Sequence, residues 1–205
     1  MIRGHALHEP HPGRTVLFIG SAQFVVGMLL AEASYPGYSI ADNAISDLGV
    51  GSTALLFNAS VFLVGVFTIL GAYFLYQVHR RKVFTILFLL AGIGAIGVGL
   101  FPENVPTAHG IFALIAFLFG GVAAIVAYPL EKEPLNYISV LLGLLGLAAL
   151  GLFVSENFMG LGFGGMERMI VYPVLLWEVS FGGYLMAAPD EPIPAAKAAA
   201  GAPPP

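Results

Sequence analysis

Cysteine is absent from this chain, which excludes disulfides, iron–sulfur clusters and thiolate zinc sites and leaves the redox compartment open. Charge is scarce as well: 10% of the 205 residues are Asp, Glu, Lys or Arg, and the formal net charge is −4. With a pI near 5.6 the chain lacks the basic face that nucleic acid requires. It holds no soluble block long enough to form its own core. Nucleophile elbow, Walker, HExxH and EF-hand patterns are all missing. What is present is apolar: 58% hydrophobic residues and a mean hydropathy of +0.89, the composition of a chain that lives in lipid.

Six apolar stretches, at about 15–33, 53–77, 83–101, 109–128, 137–155 and 169–187, are each close to the roughly 20 residues that cross a bilayer. Lipid offers no partner to a bare backbone, so each is expected to be an α-helix. The expected architecture is an all-α, six-helix membrane bundle over 15–187. A flexible tail (1–14) precedes it and a disordered Ala/Pro-rich tail (188–205) follows. His5, His8, Glu9 and His11 crowd the first tail, where Pro10 and Pro12 favour a flexible arm over a metal site. Arg14, the first apolar run and Ala31-Glu32-Ala33 imitate a signal peptide, yet the segment is kept as a span.

Seven of the eight basic residues fall on the tail side of this arrangement, Arg168 being the exception. The positive-inside rule then makes both termini cytoplasmic and the first, third and fifth loops external in a cell membrane. The outer face holds Glu32, Asp42, Asp47, Glu103, Glu156 and Glu167 against Arg168 alone, so a ligand there is expected to be cationic, metal-bearing or neutral. On the inner face Arg80-Arg81-Lys82 are placed to touch anionic lipid heads, although three charges are fewer than a dedicated cluster carries.

Tyr35–Gly51 is the longest polar interval between spans, and the other motif-like segments share its side. Asp42 to Gly49 reads as a short amphipathic turn or helix with Ile45 and Leu48 on one face, stopped by Gly49 and Gly51, and able to lie over the bundle as a lid. For any single residue the plainer reading is preferred, a re-entrant loop whose Asp and Ser cap helix ends. His109 heads a stripe of Ala113, Ala116, Gly120, Ala124 and Ala127, a small-residue face that turns it into the bundle. Glu103, six residues upstream, is close enough in sequence for a proton-transfer pair, a metal site or a structural hydrogen bond with His109.

Glu178 lies eleven residues after Glu167, on the same helical face and roughly 16 Å deeper. A carboxyl at that depth is a functional hypothesis by default, and Gln23, at a similar depth in the first span, is a candidate partner. Asn58 is a further polar residue inside the membrane. Its Asn58-Ala59-Ser60 sequon is discounted for lying within a span. Gly160 to Gly165 fits a dinucleotide fingerprint but joins two spans with no strand before it, so flexibility explains it better. The two three-span halves show no convincing repeat, which weakens an inverted-repeat transporter.

ISDLG (Ile45–Gly49), Phe57-Asn58, FPE (Phe101–Glu103) with His109-Gly110, and Glu167-Arg168 with Tyr172-Pro173 together resemble the archaeal membrane family of domain of unknown function 998 (DUF998). The likeness covers about Thr15 to Ala187. It implies six spans and an external site around Ser46, Asp47, Glu103, His109, Glu167 and Arg168, and supplies no activity. More distantly, ISDLG is similar to the ISD-x-G signature of the Frag1/DRAM/Sfk1 group, six-span proteins linked to lipid handling and autophagy.

Three readings follow. The preferred one is a non-catalytic protein that binds a lipid or a partner through its external face. Membrane lipids are the expected partners, with other membrane proteins or a second copy as alternatives, and no cofactor is expected. The second is a membrane-embedded hydrolase acting on a lipid, in which Asp47, Glu103, His109 and Glu167 converge on a divalent metal with Ser46 nearby. The third is a proton-coupled transporter or channel that uses Glu178 and needs a water-accessible route past a packed bundle.

Overall fold

The computed structural model describes residues 12–187; the His5, His8, Glu9, His11 run and the stretch from Pro189 to Pro205 lie outside them. Six helices follow one another: α1 (Pro12–Ser34), α2 (Ala54–His79), α3 (Lys82–Leu100), α4 (Pro106–Val126), α5 (Leu135–Val154) and α6 (Gly162–Ala187). All six are long and apolar enough to cross a membrane, and no strand occurs among the described residues. The all-α expectation holds, and the chain is a multi-pass membrane protein. Large apolar side chains stay exposed on the outward faces, Leu55 at 84% and Val154 at 71% among them. Only lipid covers so much apolar surface without penalty.

Each helix packs on the next in chain order, and α6 returns to α1 to close a ring, with α4 touching α6 lightly across it. Small residues set the closest approaches. At the α2–α3 crossing a Cβ on Gly65 would lie 2.7 Å from the Gly92 carbonyl oxygen, and one on Gly92 would lie 2.8 Å from that of Gly65. Only two glycines let these backbones meet.

The ring's interior is filled unevenly. Towards the chain ends it is solid: Phe84, Phe88, Trp177 and Phe181 are all nearly or fully buried, with Leu17, Leu75 and Leu185 around them. Trp177 stacks on Phe181 (5.5 Å, 19°) and takes Phe88 edge-on (5.5 Å, 77°). Such ring pairs add about 0.5–1.5 kcal/mol each beyond burial. Towards the first, third and fifth loops the core is built from Phe24, Met28, Phe57, Val61 and Val171, roofed by Ile45 and Leu48.

Several helix starts differ from the sequence reading: the first lies at Pro12, inside the expected tail, rather than about Thr15, and the fifth at Leu135 rather than Tyr137. The fourth begins at Pro106 rather than His109, because a proline at the first helical turn forgoes an N–H that has no partner there anyway. The sixth begins at Gly162 rather than Met169, so Glu167 and Arg168 are helical and the Gly-rich stretch is no flexible linker. Intrinsic propensity disfavours glycine in a helix; docking of the first loop onto this turn supplies the difference.

That docking is built on backbone. The Gly164 N–H, unbonded within its own helix turn, donates to the Ala41 carbonyl (3.0 Å). A Cβ on Gly164 would collide with the Asn43 carbonyl oxygen, and Ile40 O lies 2.8 Å from the same point. Gly164→Ala is therefore expected to destabilise by about 1–3 kcal/mol, since backbone cannot swing aside. Gly110→Ala, where nothing lies within 4 Å, should stabilise by up to about 1 kcal/mol through helix propensity alone. Thermal unfolding in detergent reads both signs, and a shared sign would refute the docking account.

Candidate functional site at the loop end of the bundle

The first loop folds down over the ring as a short 3₁₀ helix, Ser46–Gly49. Ile45 and Leu48 do share a face, and both are buried against the loop-side core. Asp47 caps the turn that precedes this helix, its Oδ2 accepting from Asn43 Nδ2 (2.8 Å) and the Ala44 N–H (3.1 Å). From below, Asn58 Nδ2 donates to Gly49 O and Thr53 Oγ1 to Leu48 O, both at 2.9 Å. Asn58, inside the membrane by sequence, thus serves to hold the lid.

Two neighbouring residues of α6 fix the same loop from the side. Glu167 accepts the Ile45 N–H. Arg168 forms an ion pair with Glu32 at the end of α1 (2.6 Å), and both side chains are nearly buried. Its Nη2 also meets Tyr38 Oη (2.6 Å), which passes a hydrogen bond on to Ala44 O (2.9 Å). Its Nη1 donates to Ile40 O, Asn43 O and Gly164 O. Burial lifts the Tyr38 phenol to about 12 despite the opposing guanidinium, so it stays a neutral link in this chain.

Of the six external candidates, Ser46, Asp47, Glu103 and Glu167 come together. Ser46 lies between Glu103 and Glu167, and the Glu103 carboxyl lies against that of Asp47. Burial, then the Asp47 side chain, raises the Glu103 pKa, while the Ser46 hydroxyl works the other way. Two carboxylates in such contact repel, which is why the neighbour adds to the effect of burial on Glu103. Arg168 points away from this group, towards Glu32 and Tyr38.

Glu103 and His109 do not pair as the sequence suggested. The loop after Phe101 turns back on itself, so His109 Nδ1 donates to the Phe101 carbonyl (2.9 Å) while Glu103 reaches across to the first loop. With Nδ1 engaged, a neutral His109 keeps Nε2 as an acceptor. Among the described residues no group of three or more His, Asp or Glu side chains is placed to hold a metal. The four ligands required by the hydrolase reading therefore do not form such a group.

Beneath the lid the ring is hollow. A cavity of about 90 Å³ has Ser46, His109 and Glu167 at its loop end and Phe24, Phe57, Val61 and Val98 among its apolar walls. A second, of about 80 Å³, continues inward to Thr68 and Glu178. Phe24, Val64, Ala95, Ala116, Phe117 and Val171 line both, so the two are chambers of one hollow. It exists because the inward face of α4 carries Ala113 and Ala116 where larger side chains would meet Phe24 and Val171. The small-residue stripe of α4 thus turns inward, lining the hollow from Ala113 to Gly120 and lying buried at Ala124 and Ala127 beyond it.

Glu178 closes the floor of the inner chamber. Its partner is not Gln23: Ser21 Oγ donates to Glu178 Oε2 (3.0 Å), and Thr68 is its other hydroxyl neighbour. Gln23 Nε2 instead donates to Gly20 O and Ser60 O, across the α1–α2 contact. Ser21 and Thr68 carry no signal in the sequence, because a hydroxyl inside a helix usually bonds its own backbone. Both do so here, to Leu17 O and Val64 O.

A family model described as "Protein of unknown function (DUF998)" matches residues 18–183. No curated protein and no solved structure matches the chain.

Proposed function

The chain belongs to the DUF998 family, whose description records no function, and from that premise we propose that it binds an amphiphile, a lipid or lipid-like molecule, at the loop end of its bundle without catalysing a reaction on it. The hollow between the helices carries this reading. Its walls are apolar over two chambers and its polar groups sit only at the ends, the division a molecule with a polar head and an apolar body requires. Ser46, His109 and Glu167 face the head, which is then neutral or cationic. The solid aromatic half beneath supports a binding pocket over a conduit. Among the described residues five of the six basic ones, Arg14, Arg80, Arg81, Lys82 and Lys132, belong to the opposite end, and by the positive-inside rule the pocket then faces the outer side of a cell membrane and both tails are cytoplasmic.

Ala95 lines both chambers. Protein purified in mild detergent should carry a stoichiometric amphiphile detectable by mass spectrometry of its organic extract, and Ala95→Leu should lose it while unfolding at an unchanged or higher temperature. Equal amounts in wild type and variant, or none in wild type, would sink the proposal.

The position of Glu178 on the floor favours a second reading, a proton-coupled carrier. Proteoliposomes with an enclosed pH dye separate the two: a proton flux abolished by Glu178→Gln supports the carrier, and no flux leaves binding in place.

A further inference from the structure

At the opposite end of the bundle from the lid, α2 and α3 are joined by two residues only, Arg80 and Arg81. Arg80 ends α2 in the left-handed conformation (φ 53°), and Lys82 opens α3. So abrupt a reversal sets three cations side by side at the rim of the membrane, all exposed. The Arg80 guanidinium lies over the Tyr76 ring (5.3 Å), which holds it on the bundle. Among the described residues the single ion pair is Arg168–Glu32, so no described carboxylate neutralises the three.

These cations line a groove of about 350 Å³ whose other walls are Val83, Phe84, Val126, Pro129 and Leu130. It is several times larger than either interior chamber and has the space of about ten waters. Among the described residues no acidic side chain lines it. One wall is cationic and the other apolar, and the groove sits where helix ends leave the hydrocarbon. A soluble anion would use only the first wall; a neutral lipid would use only the second. We propose that this groove binds the phosphate head of an anionic phospholipid, with the start of its acyl region against Val83, Val126 and Leu130. The site is separate from the lidded hollow and stands whether or not that hollow binds an amphiphile.

The probes are phosphatidylglycerol and phosphatidylcholine, titrated onto the full chain in detergent and followed by native mass spectrometry. Wild type is expected to retain phosphatidylglycerol at least tenfold more strongly. Each of Arg80→Gln, Arg81→Gln and Lys82→Gln should reduce that preference about fivefold, and the three together should abolish it. Arg80→Lys with Arg81→Lys should preserve it. Val83→Glu, at a side chain 64% exposed and so free of packing demands, should weaken it with all three cations intact. Equal retention of the two lipids by wild type, or a preference that survives the triple change, overturns the proposal. Displacement of phosphatidylglycerol by excess inorganic phosphate also overturns it, because the ligand is then the anion and not the lipid.

Discussion

Arg168→Met is expected to cost about 3–5 kcal/mol of stability, the range for removing one partner of a buried ion pair. The guanidinium gathers an ion pair with Glu32, the Tyr38 hydroxyl and three backbone carbonyls from two segments of chain. Without it Glu32 is left nearly buried and uncompensated, and the carbonyls of Ile40 and Asn43 lose their donor. Adding Glu32→Gln to Arg168→Met should recover part of the loss by removing the stranded charge, although the single Glu32→Gln change should itself destabilise. Thermal unfolding of the four proteins in one detergent forms a double-mutant cycle. Strict additivity would mean that the pair is not coupled, and the clamp account would fail.

Glu131 yields the second large effect, and it depends on pH. It belongs to the turn between α4 and α5, 7% exposed, with both carboxyl oxygens and the facing Ser139 Oγ lacking a hydrogen-bond partner of good geometry among the described residues. Burial raises its pKa from 4.5 to about 7, and the nearby Ser139 hydroxyl opposes this only in part. The folded chain therefore binds more protons here than the unfolded chain between these two values. Stability falls as pH rises from about 4.5 through about 7, by at most about 3 kcal/mol in all. Glu131→Gln, neutral at every pH, should match wild type near pH 4.5 and exceed it above pH 7. Unfolding midpoints followed across that window test this, and parallel curves for the two proteins would refute it.

Hydropathy gave the six spans because the bilayer imposes their length, and proline and glycine marked the turns. The loop-end cluster was legible too: Ser46, Asp47, Glu103 and Glu167 are polar residues near span ends on one side, and alternation of spans brings such ends together. Direction around a helix was legible for the small-residue stripe of α4 but not for the polar residues of α1. Gln23 and Ser21 are two residues apart and so face roughly opposite ways, at about 100° per residue, and depth alone cannot choose between them. Ser21 faces Glu178 and Gln23 faces Ser60. The start of α6 was hidden for another reason. Its first residues have poor helix propensity, and what holds them helical is a loop more than a hundred residues away in sequence. Glu131 gives no sign of burial in the sequence, where Pro129 to Pro134 has the charge and prolines of a solvated turn. Only packing against α5, where Asn136 and Ser139 are also buried, takes it out of water.

The uneven filling of the ring has an electrical side. The apolar-walled hollow and the stacked rings around Phe88, Trp177 and Phe181 are both weakly polarisable, so the potential across the membrane should fall through the whole depth from the lid to the tail side. Glu178 then stands part-way down that drop, and a charge placed there should feel a fraction of the voltage whichever side it comes from.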